Sequence, residues 1–321
     1  MIRRSLFAFA LVLLASPVRA QAPVFLTQWG GLGSGQGQLK DPYDLAIDAQ
    51  GNAYVADSFN HRVQKFTNTG TYLLQWGSQG SGDGQFIQDL AIDIDSQGNV
   101  YLSDNANHRV QKFTSTGTFL LKWGAQGSAA GQFQFPHGLG IDGADNVYVA
   151  DRNNHRIQKF TSEGVFIRAW GSMGTGPGKF QFPGAMEVTD AGTVYVGDDL
   201  NRVQVFDSTG AYQSSFGSEG DGDGQFYGIG GIAVALDGSL YVTDNLNARV
   251  EKFSLSGTFV LAWGGPGAGA GAFDSPRGLD TDTDGNIYVV DTNNDRIQKF
   301  GYGTAVQPIT WGRLKRRYPS E

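Results

Sequence analysis

Three side chains that could bind a ligand stand at equivalent points of a sequence that repeats itself six times. Tyr43, His137 and Arg277 each lie just before a short apolar segment, where the other three repeats have leucine or glycine. A phenol, an imidazole and a guanidinium around one opening suit an anionic or aromatic group, because they combine hydrogen-bonding groups with ring surfaces. We therefore predict that Tyr43, His137 and Arg277 are the ligand-binding residues.

A second set of equivalent positions lies three residues further along each repeat. There Asp93, Glu187 and Asp280 alternate with alanine or glycine. Three carboxylates that converge in a narrow channel cannot all be ionised without compensation, and Ca²⁺ prefers oxygen ligands. The pattern leaves two interpretations open: a site for a channel cation, with Ca²⁺ as the cofactor, or for a polar ligand; or a water-filled channel with polar walls, whose carboxylates are solvated or partly protonated.

The elements that position these residues follow from the repeat. Its marker is an aspartate, found at Asp57, Asp104, Asp151, Asp198, Asp244 and Asp291, so the successive spacings are 47, 47, 47, 46 and 47 residues. Each unit contains four short apolar segments separated by turn residues. Four strands in a period of about 40 to 50 residues are typical of a propeller blade. We predict an all-β fold, a six-bladed β-propeller of four-stranded antiparallel blades.

The two ends of the repeat array predict how the ring closes. Residues 24–30 match the fourth strand of the other units, while the sixth unit supplies its first three strands by residue 300. Pairing the N-terminal strand with the sixth blade leaves no exposed sheet edge. Residues 306–312 are a competing fourth strand, but the segment contains a proline, which removes a ladder donor. We therefore predict a ring closed by the N-terminal strand.

The first twenty residues have the pattern of a secretory signal. Arg3 and Arg4 precede an apolar run at residues 6–15, which is too short to span a bilayer, and small residues stand at positions 18 and 20. We predict a signal peptide at 1–20, a repeat propeller at 21–303 and a C-terminal tail at 304–321. The expected location is secreted, periplasmic or in the cell envelope, with no integral membrane segment in the mature chain.

Composition excludes several classes of partner and site. The chain has no cysteine, which excludes disulfides and thiolate metal sites. Removing the signal removes three of 24 basic residues and none of 31 acidic ones, so the net charge becomes 21 minus 31, or −10. Nucleic-acid binding depends on basic residues that displace counterions. We therefore expect no nucleic-acid partner.

The segment at residues 60–66, Asn-His-Arg-Val-Gln-Lys-Phe, recurs with variations in the other units and resembles the NHL repeat. The resemblance covers residues 24–300 and implies a six-bladed propeller. The family includes extracellular sensor domains, protein- and RNA-binding modules and a few enzymes such as peptidylglycine amidating lyase, so it implies the fold far more strongly than the function. Such lyases hold a catalytic zinc with channel histidines, whereas this channel mouth offers His137 alone.

Residues present in every repeat are predicted to be structural, because they answer a requirement that all blades share. Asp57 and Arg62 are expected to form a hydrogen-bonded ion pair that braces the loop between the second and third strands. Asn60 is expected to be the turn residue with unusual backbone angles. His61 and its equivalents His108 and His155 are interpreted as loop residues rather than metal ligands.

Function is expected where the repeats differ. The sequence favours an exported binding scaffold without catalytic residues, whose partner is a protein, a peptide or a cell-envelope glycan held by loops on a rigid frame. The alternative is a metal-dependent enzyme, lyase-like or lactonase- and hydrolase-like. It would use the channel carboxylates together with the histidine, tyrosine and arginine of the funnel mouth.

Overall fold

The computed structural model describes residues 21–87 and 90–302, which form a ring of six four-stranded antiparallel sheets. The prediction of a six-bladed, almost entirely β propeller is confirmed. Within the described residues no helix is long and apolar enough to cross a bilayer. The predicted signal peptide and the competing segment at 306–312 lie outside the described residues.

Each of the first five blades follows chain order. Blade one contains β2 (Asp44–Ile47), β3 (Ala53–Asp57), β4 (Arg62–Phe66) and β5 (Tyr72–Trp76). Blade two contains β6 (Leu90–Ile94), β7 (Val100–Asp104), β8 (Arg109–Phe113) and β9 (Phe119–Trp123). Blade three contains β10 (Pro136–Ile141), β11 (Val147–Asp151), β12 (Arg156–Phe160) and β13 (Phe166–Trp170). Blade four contains β14 (Met186–Val188), β15 (Val194–Asp198), β16 (Arg202–Phe206) and β17 (Tyr212–Phe216). Blade five contains β18 (Ile229–Val234), β19 (Ser239–Asp244), β20 (Arg249–Ser254) and β21 (Phe259–Gly264).

Blade six joins the two ends of the chain. It contains β22 (Pro276–Thr281), β23 (Ile287–Asp291) and β24 (Arg296–Gly301), and its outer strand is β1 (Val24–Gly30). In this antiparallel pairing Trp29 lies opposite Ile297. The predicted closure by the N-terminal strand is therefore confirmed. The first strands of neighbouring blades contact one another around the axis, which brings the equivalent residues of different repeats together.

The turn between the second and third strands of a blade is held by the repeated ion pair. Arg62 Nε lies 2.7 Å from Asp57 Oδ2, and its other nitrogens donate to carbonyls of the glycine-rich loop that enters the blade. A short 3-10 helix fills this turn in four blades, at Ser58–Asn60, Asn105–Asn107, Arg152–Asn154 and Thr292–Asn294. The predicted ion pair is present, and it also fastens the preceding loop.

The prediction for Asn60 needs a correction. The left-handed residue of the turn is the next one, His61, with φ of 53°. Asn60 instead donates from its side-chain nitrogen to Asp57 and to the Gly33 carbonyl. The asparagine is therefore used for its amide donor, while the left-handed conformation falls on a residue whose type varies between blades.

The hydrophobic core lies between blades rather than within them. Tyr54 of blade one is fully buried in a cluster that includes Phe86, Val100 and Phe113 of the next unit. The outer-strand tryptophans extend this packing, since Trp29 of blade six contacts Phe66 of blade one with 6.2 Å between ring centroids. The interfaces between blades thus make the ring rigid, and the axis presents the side chains at which the repeats differ.

Candidate functional site

A funnel opens at one end of the axis, on the face formed by the loops that enter the blades and the turns after their second strands. Its cavity measures about 820 Å³, within the range usual for small-molecule sites. Every blade contributes to its lining, for example through Tyr43, Asn105, His137, Asp199, Tyr227 and Arg277. The three residues predicted for the funnel mouth therefore share one cavity.

Tyr43 and His137 meet although they come from blades one and three. The Tyr43 hydroxyl is hydrogen-bonded to His137 Nε2, and the two rings are nearly perpendicular with centroids 5.2 Å apart. Burial and the positive charges of Arg152 and Arg277 together lower the pKa of His137 to about 3, although a hydrogen bond with the Gly184 backbone acts in the opposite direction. The imidazole is therefore neutral at physiological pH, and its Nε2 accepts a hydrogen bond from the Tyr43 hydroxyl.

Arg277 completes this set from blade six. Its guanidinium carbon lies 4.6 Å from the centroid of the Tyr43 ring, a cation–π arrangement. The three predicted ligand-binding residues thus form one contiguous group, with the tyrosine between the histidine and the arginine. A neutral imidazole, a phenol and a cation can together receive an anionic group while aromatic surface surrounds it.

Sequence reasoning missed a second charged pair in the funnel. Arg152 Nη2 lies 2.9 Å from Asp199 Oδ2, which links blade three to blade four. Both residues follow the repeated aspartate directly, in a column that reads Ser58, Asn105, Arg152, Asp199, Asn245 and Thr292. In this column, adjacent blades three and four have residues of opposite charge, and this pattern could have predicted the salt bridge from the sequence.

Apolar side chains form the rim of the funnel. Phe135 is 39% exposed, Tyr227 40% and Leu246 75%, and all three line the cavity. The Phe135 ring lies edge-on to His108, whose Nδ1 accepts the Phe135 backbone N–H at 3.1 Å. In the described structure this repeated histidine therefore supports an exposed aromatic ring of the rim.

The predicted channel carboxylates lie deeper along the same axis. Two of them bind the first strand of the next blade: Asp280 Oδ2 accepts the backbone N–H of Ile47 at 2.7 Å, and Glu187 Oε1 accepts that of Val234 at 3.3 Å. Asp93 accepts the backbone N–H of Ile94 at 2.7 Å. The three carboxylates thus share the channel, and at least two of them join adjacent blades.

Asp44 is a fourth carboxylate of the channel that the sequence comparison passed over. Its Oδ2 accepts the backbone N–H of Ile92 in the next blade at 3.1 Å. It stands one level closer to the funnel, in a column where the other repeats have only alanine or glycine. This single acidic residue in a column of alanine and glycine could have identified Asp44 as a channel residue from the sequence.

These four carboxylates are surrounded by protein, although each residue keeps part of its surface accessible. Burial raises the pKa of Asp44 and of Asp280 to about 7. Burial, together with the charge of Asp280, raises the pKa of Asp93 and of Glu187 well above the ordinary range. The group is therefore not fully ionised at neutral pH.

The described ranges contain no cluster of three or more His, Asp or Glu side chains arranged to hold a metal ion. The Ca²⁺ site at Asp93, Glu187 and Asp280 therefore stays a prediction. Calorimetric titration of the metal-stripped protein with Ca²⁺ decides it, and the absence of both heat and thermal stabilisation would refute it.

The fold and the funnel define a class: a six-bladed β-propeller with a ligand-sized cavity at one end of its axis. A family model described as NHL repeat matches residues 39–66, 89–113, 133–160 and 273–300. The chain is thus a six-bladed β-propeller with NHL repeats at these four places. A segment of 57 residues, 18% of the chain, is 33% identical to the B-box type zinc finger protein ncl-1 of Caenorhabditis elegans, and it spans 7% of that protein.

Solved structures share the fold at low sequence identity. A streptogramin B lyase has a TM-score of 0.61 and 13% identity, covering 88% of this chain and 99% of its own. A Bacteroides thetaiotaomicron protein of unknown function has a TM-score of 0.67 and 18% identity, over 87% and 76% of the two chains. A catalytically inactive virginiamycin B lyase from Staphylococcus aureus with quinupristin has a TM-score of 0.57 and 14% identity, over 88% and 89%. These likenesses show the fold alone.

Proposed function

We propose that the protein is an exported binding module that holds a peptide, protein or glycan ligand in its funnel. The observation that carries this proposal is the cavity of about 820 Å³, to which every blade contributes a different side chain. Residues that the repeats share build the rigid ring, and residues at which they differ converge on this one opening. Such a division of labour is typical of binding sites presented by a fixed scaffold.

The state of the funnel groups favours binding over catalysis. The pKa of His137 is about 3, which makes its imidazole a weak proton acceptor near neutral pH. Arg152 is neutralised by Asp199. The funnel therefore offers recognition groups with fixed partners more than a group prepared to move protons.

Filling the funnel tests the proposal. A β-carbon at Gly184 would lie 3.3 Å from Arg152 Nη1 and 3.6 Å from His137 Nδ1, so a larger side chain there projects into the cavity. Blade two has leucine at the equivalent position, which makes Gly184→Leu compatible with the repeat. We expect peptide and glycan arrays to yield ligands for the wild type that Gly184→Leu no longer binds. Equal binding by both proteins would refute the funnel as the site.

Catalysis is the second candidate, and the hydrogen bond between Tyr43 and His137 favours it. A neutral imidazole aligned with a phenol is a pair through which a proton can pass. The structurally similar virginiamycin B lyase is seen with quinupristin, so that molecule is a direct probe. Incubation followed by mass spectrometry would show a product that His137→Ala no longer forms. Unchanged quinupristin would remove this lyase reaction from consideration.

Export is part of the proposal and rests on the sequence pattern of residues 1–20. Expression of the full chain in a bacterial host, followed by fractionation and N-terminal sequencing, tests it. We expect a mature protein in the periplasm or medium that starts at Gln21. An uncleaved chain in the cytoplasm would refute it.

A further inference from the structure

Arg277 is a cation that lines the funnel. No salt bridge among the described residues includes it, whereas Arg152 is paired with Asp199 and the repeated arginines are paired with their aspartates, as Arg62 is with Asp57. The Nε atom of Arg277 is buried without a hydrogen-bond partner. A buried N–H without an acceptor costs free energy. A carboxylate bound at this guanidinium would supply the countercharge that the salt bridges of the described residues do not provide.

The space beside this cation is kept open by a glycine. A β-carbon at Gly184 would lie between Arg152 and His137, 3.3 Å and 3.6 Å from their nearest nitrogens. The positive charges of Arg152 and Arg277 both act on His137, which places the two guanidinium groups on the same part of the funnel. A small planar anion fits a place bordered by two guanidinium groups.

Charge balance favours a ligand with a single negative charge at this place. Within residues 21–87 and 90–302, Arg277 is the funnel arginine outside any salt bridge, whereas the carboxylate of Asp199 neutralises Arg152. Glu219 also lines the cavity and repels further negative charge. A dianionic phosphate would therefore leave excess negative charge in a partly desolvated site.

The side chains of the rim indicate the chemistry of the ligand group that carries the negative charge. Phe135, Tyr227 and Leu246 are all exposed at the funnel wall. Leu246 occupies a position where blades three and six have Asn153 and Asn293 and the other three blades have Phe59, Ala106 and Leu200, so the polarity of this part of the wall differs from blade to blade. Burying apolar ligand surface against such a wall is favourable.

We propose that the funnel binds an apolar monocarboxylate, with the carboxylate at Arg277 and the adjoining aromatic or branched aliphatic group against the rim. This inference rests on the proposed binding function and names its ligand class. Two sources share the chemistry: a free small acid, or the carboxyl end of a peptide whose last residue is apolar. A peptide has more atoms to fill a cavity of about 820 Å³.

The experiment compares three probes by isothermal titration calorimetry on the mature chain. They are 3-phenylpropionate, the peptide Gly-Gly-Gly-Phe with a free carboxylate, and the same peptide with a C-terminal amide. We expect the free peptide to bind at least about tenfold more tightly than the amide, as the loss of one charged hydrogen bond predicts. Binding of 3-phenylpropionate with affinity equal to that of the free peptide identifies the small acid as the source. Tighter binding of the peptide identifies the peptide.

Variants drawn from the repeat itself supply the controls. Arg277→Leu introduces the residue that blade two has at this position, and Leu246→Asn introduces the residue of blades three and six. Each should weaken binding of the free peptide about tenfold or more, and only Arg277→Leu should abolish the preference for acid over amide. Arg168→Gln, on an outer strand where its side chain contacts the Thr209 carbonyl, should bind like the wild type.

Equal affinity for acid and amide, or an unchanged preference in Arg277→Leu, would overturn the inference. So would the absence of heat with all three probes. The binding function itself would survive these results if the arrays yielded other ligands that Gly184→Leu fails to bind. Thermal melting of each variant confirms that a lost signal comes from the funnel and not from unfolding.

Discussion

Glu251 Oε1 lies 2.6 Å from Arg249 Nη2, at a position where the other five blades have glutamine. The two atoms form a charge contact without an aligned hydrogen bond. Arg249 Nη2 donates instead to the carbonyls of Gly222 and Gln225, and Glu251 Oε1 has no hydrogen-bond partner. Blade five thus has an acceptor where its sister blades have a donor.

Blade three shows what the glutamine does. Gln158 Nε2 donates to the Gln132 carbonyl at 2.7 Å and to Asp151 Oδ2 at 3.0 Å, while its oxygen accepts the N–H of Gly131. In blade five Glu251 keeps only the last of these bonds, from Gly224. When Glu251 is ionised, its side chain has no proton to donate to the carbonyl and carboxylate oxygens that bind the glutamine amide in the other blades.

Glu251→Gln is therefore expected to stabilise the protein at high pH. Burial raises the pKa of Glu251 to about 7, Arg249 lowers it and Asp244 raises it. Because the folded state raises the pKa, Glu251 contributes its stability below its unfolded value and loses it as pH rises through about 7. Urea unfolding should show a gain of about 1–3 kcal/mol for the variant at pH 8.5 and a smaller difference at pH 5.

The reciprocal variant is the matched control. Gln158→Glu places the same carboxylate in blade three and should introduce the same loss of stability above pH 7. A stability difference for Glu251→Gln that does not change between pH 5 and pH 8.5 would contradict the account.

The outer-strand tryptophans pack against a glycine of the following blade, and two alanine variants measure how much this contact contributes. Gly164 and Gly131 both have φ of 76°, but a β-carbon at Gly164 would lie 2.7 Å from Trp123 whereas one at Gly131 meets nothing within 4 Å. Gly131→Ala should cost about 1 kcal/mol for backbone strain alone, and Gly164→Ala about 1–3 kcal/mol more. Thermal unfolding of the two variants separates backbone strain from steric conflict. Equal losses of stability would show that the Trp123 side chain moves aside to accommodate the new methyl group.

Much of the architecture could be predicted because the repeat is nearly exact. The spacing of 46 or 47 residues between equivalent aspartates gave the blade count, and the unpaired N-terminal strand gave the closure. The funnel set of Tyr43, His137 and Arg277 followed from the same symmetry, since equivalent positions at the innermost strands of a closed ring converge on its axis.

Side-chain partners within the site could not be predicted in the same way. The bond from Tyr43 to His137 crosses from blade one to blade three, and no spacing in the sequence encodes a contact between non-adjacent blades. The channel carboxylates were predicted to converge, but the bond from Asp280 to the backbone N–H of Ile47 depends on rotamer and on the stagger between blades. Sequence patterns carry neither quantity.

His137 should remain neutral throughout the physiological range. Its pKa is about 3 because burial and the charges of Arg152 and Arg277 disfavour the imidazolium. Nitrogen-15 NMR of the imidazole should show no titration between pH 5 and pH 8, with Nε2 as the unprotonated nitrogen. Because the unfolded chain binds this proton near pH 6.5, the contribution of His137 to stability is present above that pH and lost as pH falls. An inflection near pH 6.5 in the folded protein would contradict the burial of this ring.

Asp44 should make the protein less stable as pH rises. Its pKa is raised to about 7 by burial, so its contribution is present below the unfolded value and lost as pH rises through about 7. Asp44→Ala introduces the residue that blades two and four have at this position. The unfolding free energy of the variant should fall less between pH 5 and pH 8.5 than that of the wild type. An identical pH profile would mean that Asp44 is not responsible.

Removing β1 should open the ring. β1 pairs with β24 from Val24 to Gly30, and the Trp29 ring of β1 packs edge-on against the Tyr288 ring of β23. Deletion of residues 24–30 would leave β24 with a row of unpaired N–H and C=O groups, which promotes edge-to-edge association. We expect a lower melting temperature and oligomers in size-exclusion chromatography with light scattering. Truncation of residues 304–321 is the control, and it should leave a monodisperse ring because β1 already completes blade six. A deletion variant that stays monomeric and melts like the wild type would show that another segment can close the ring.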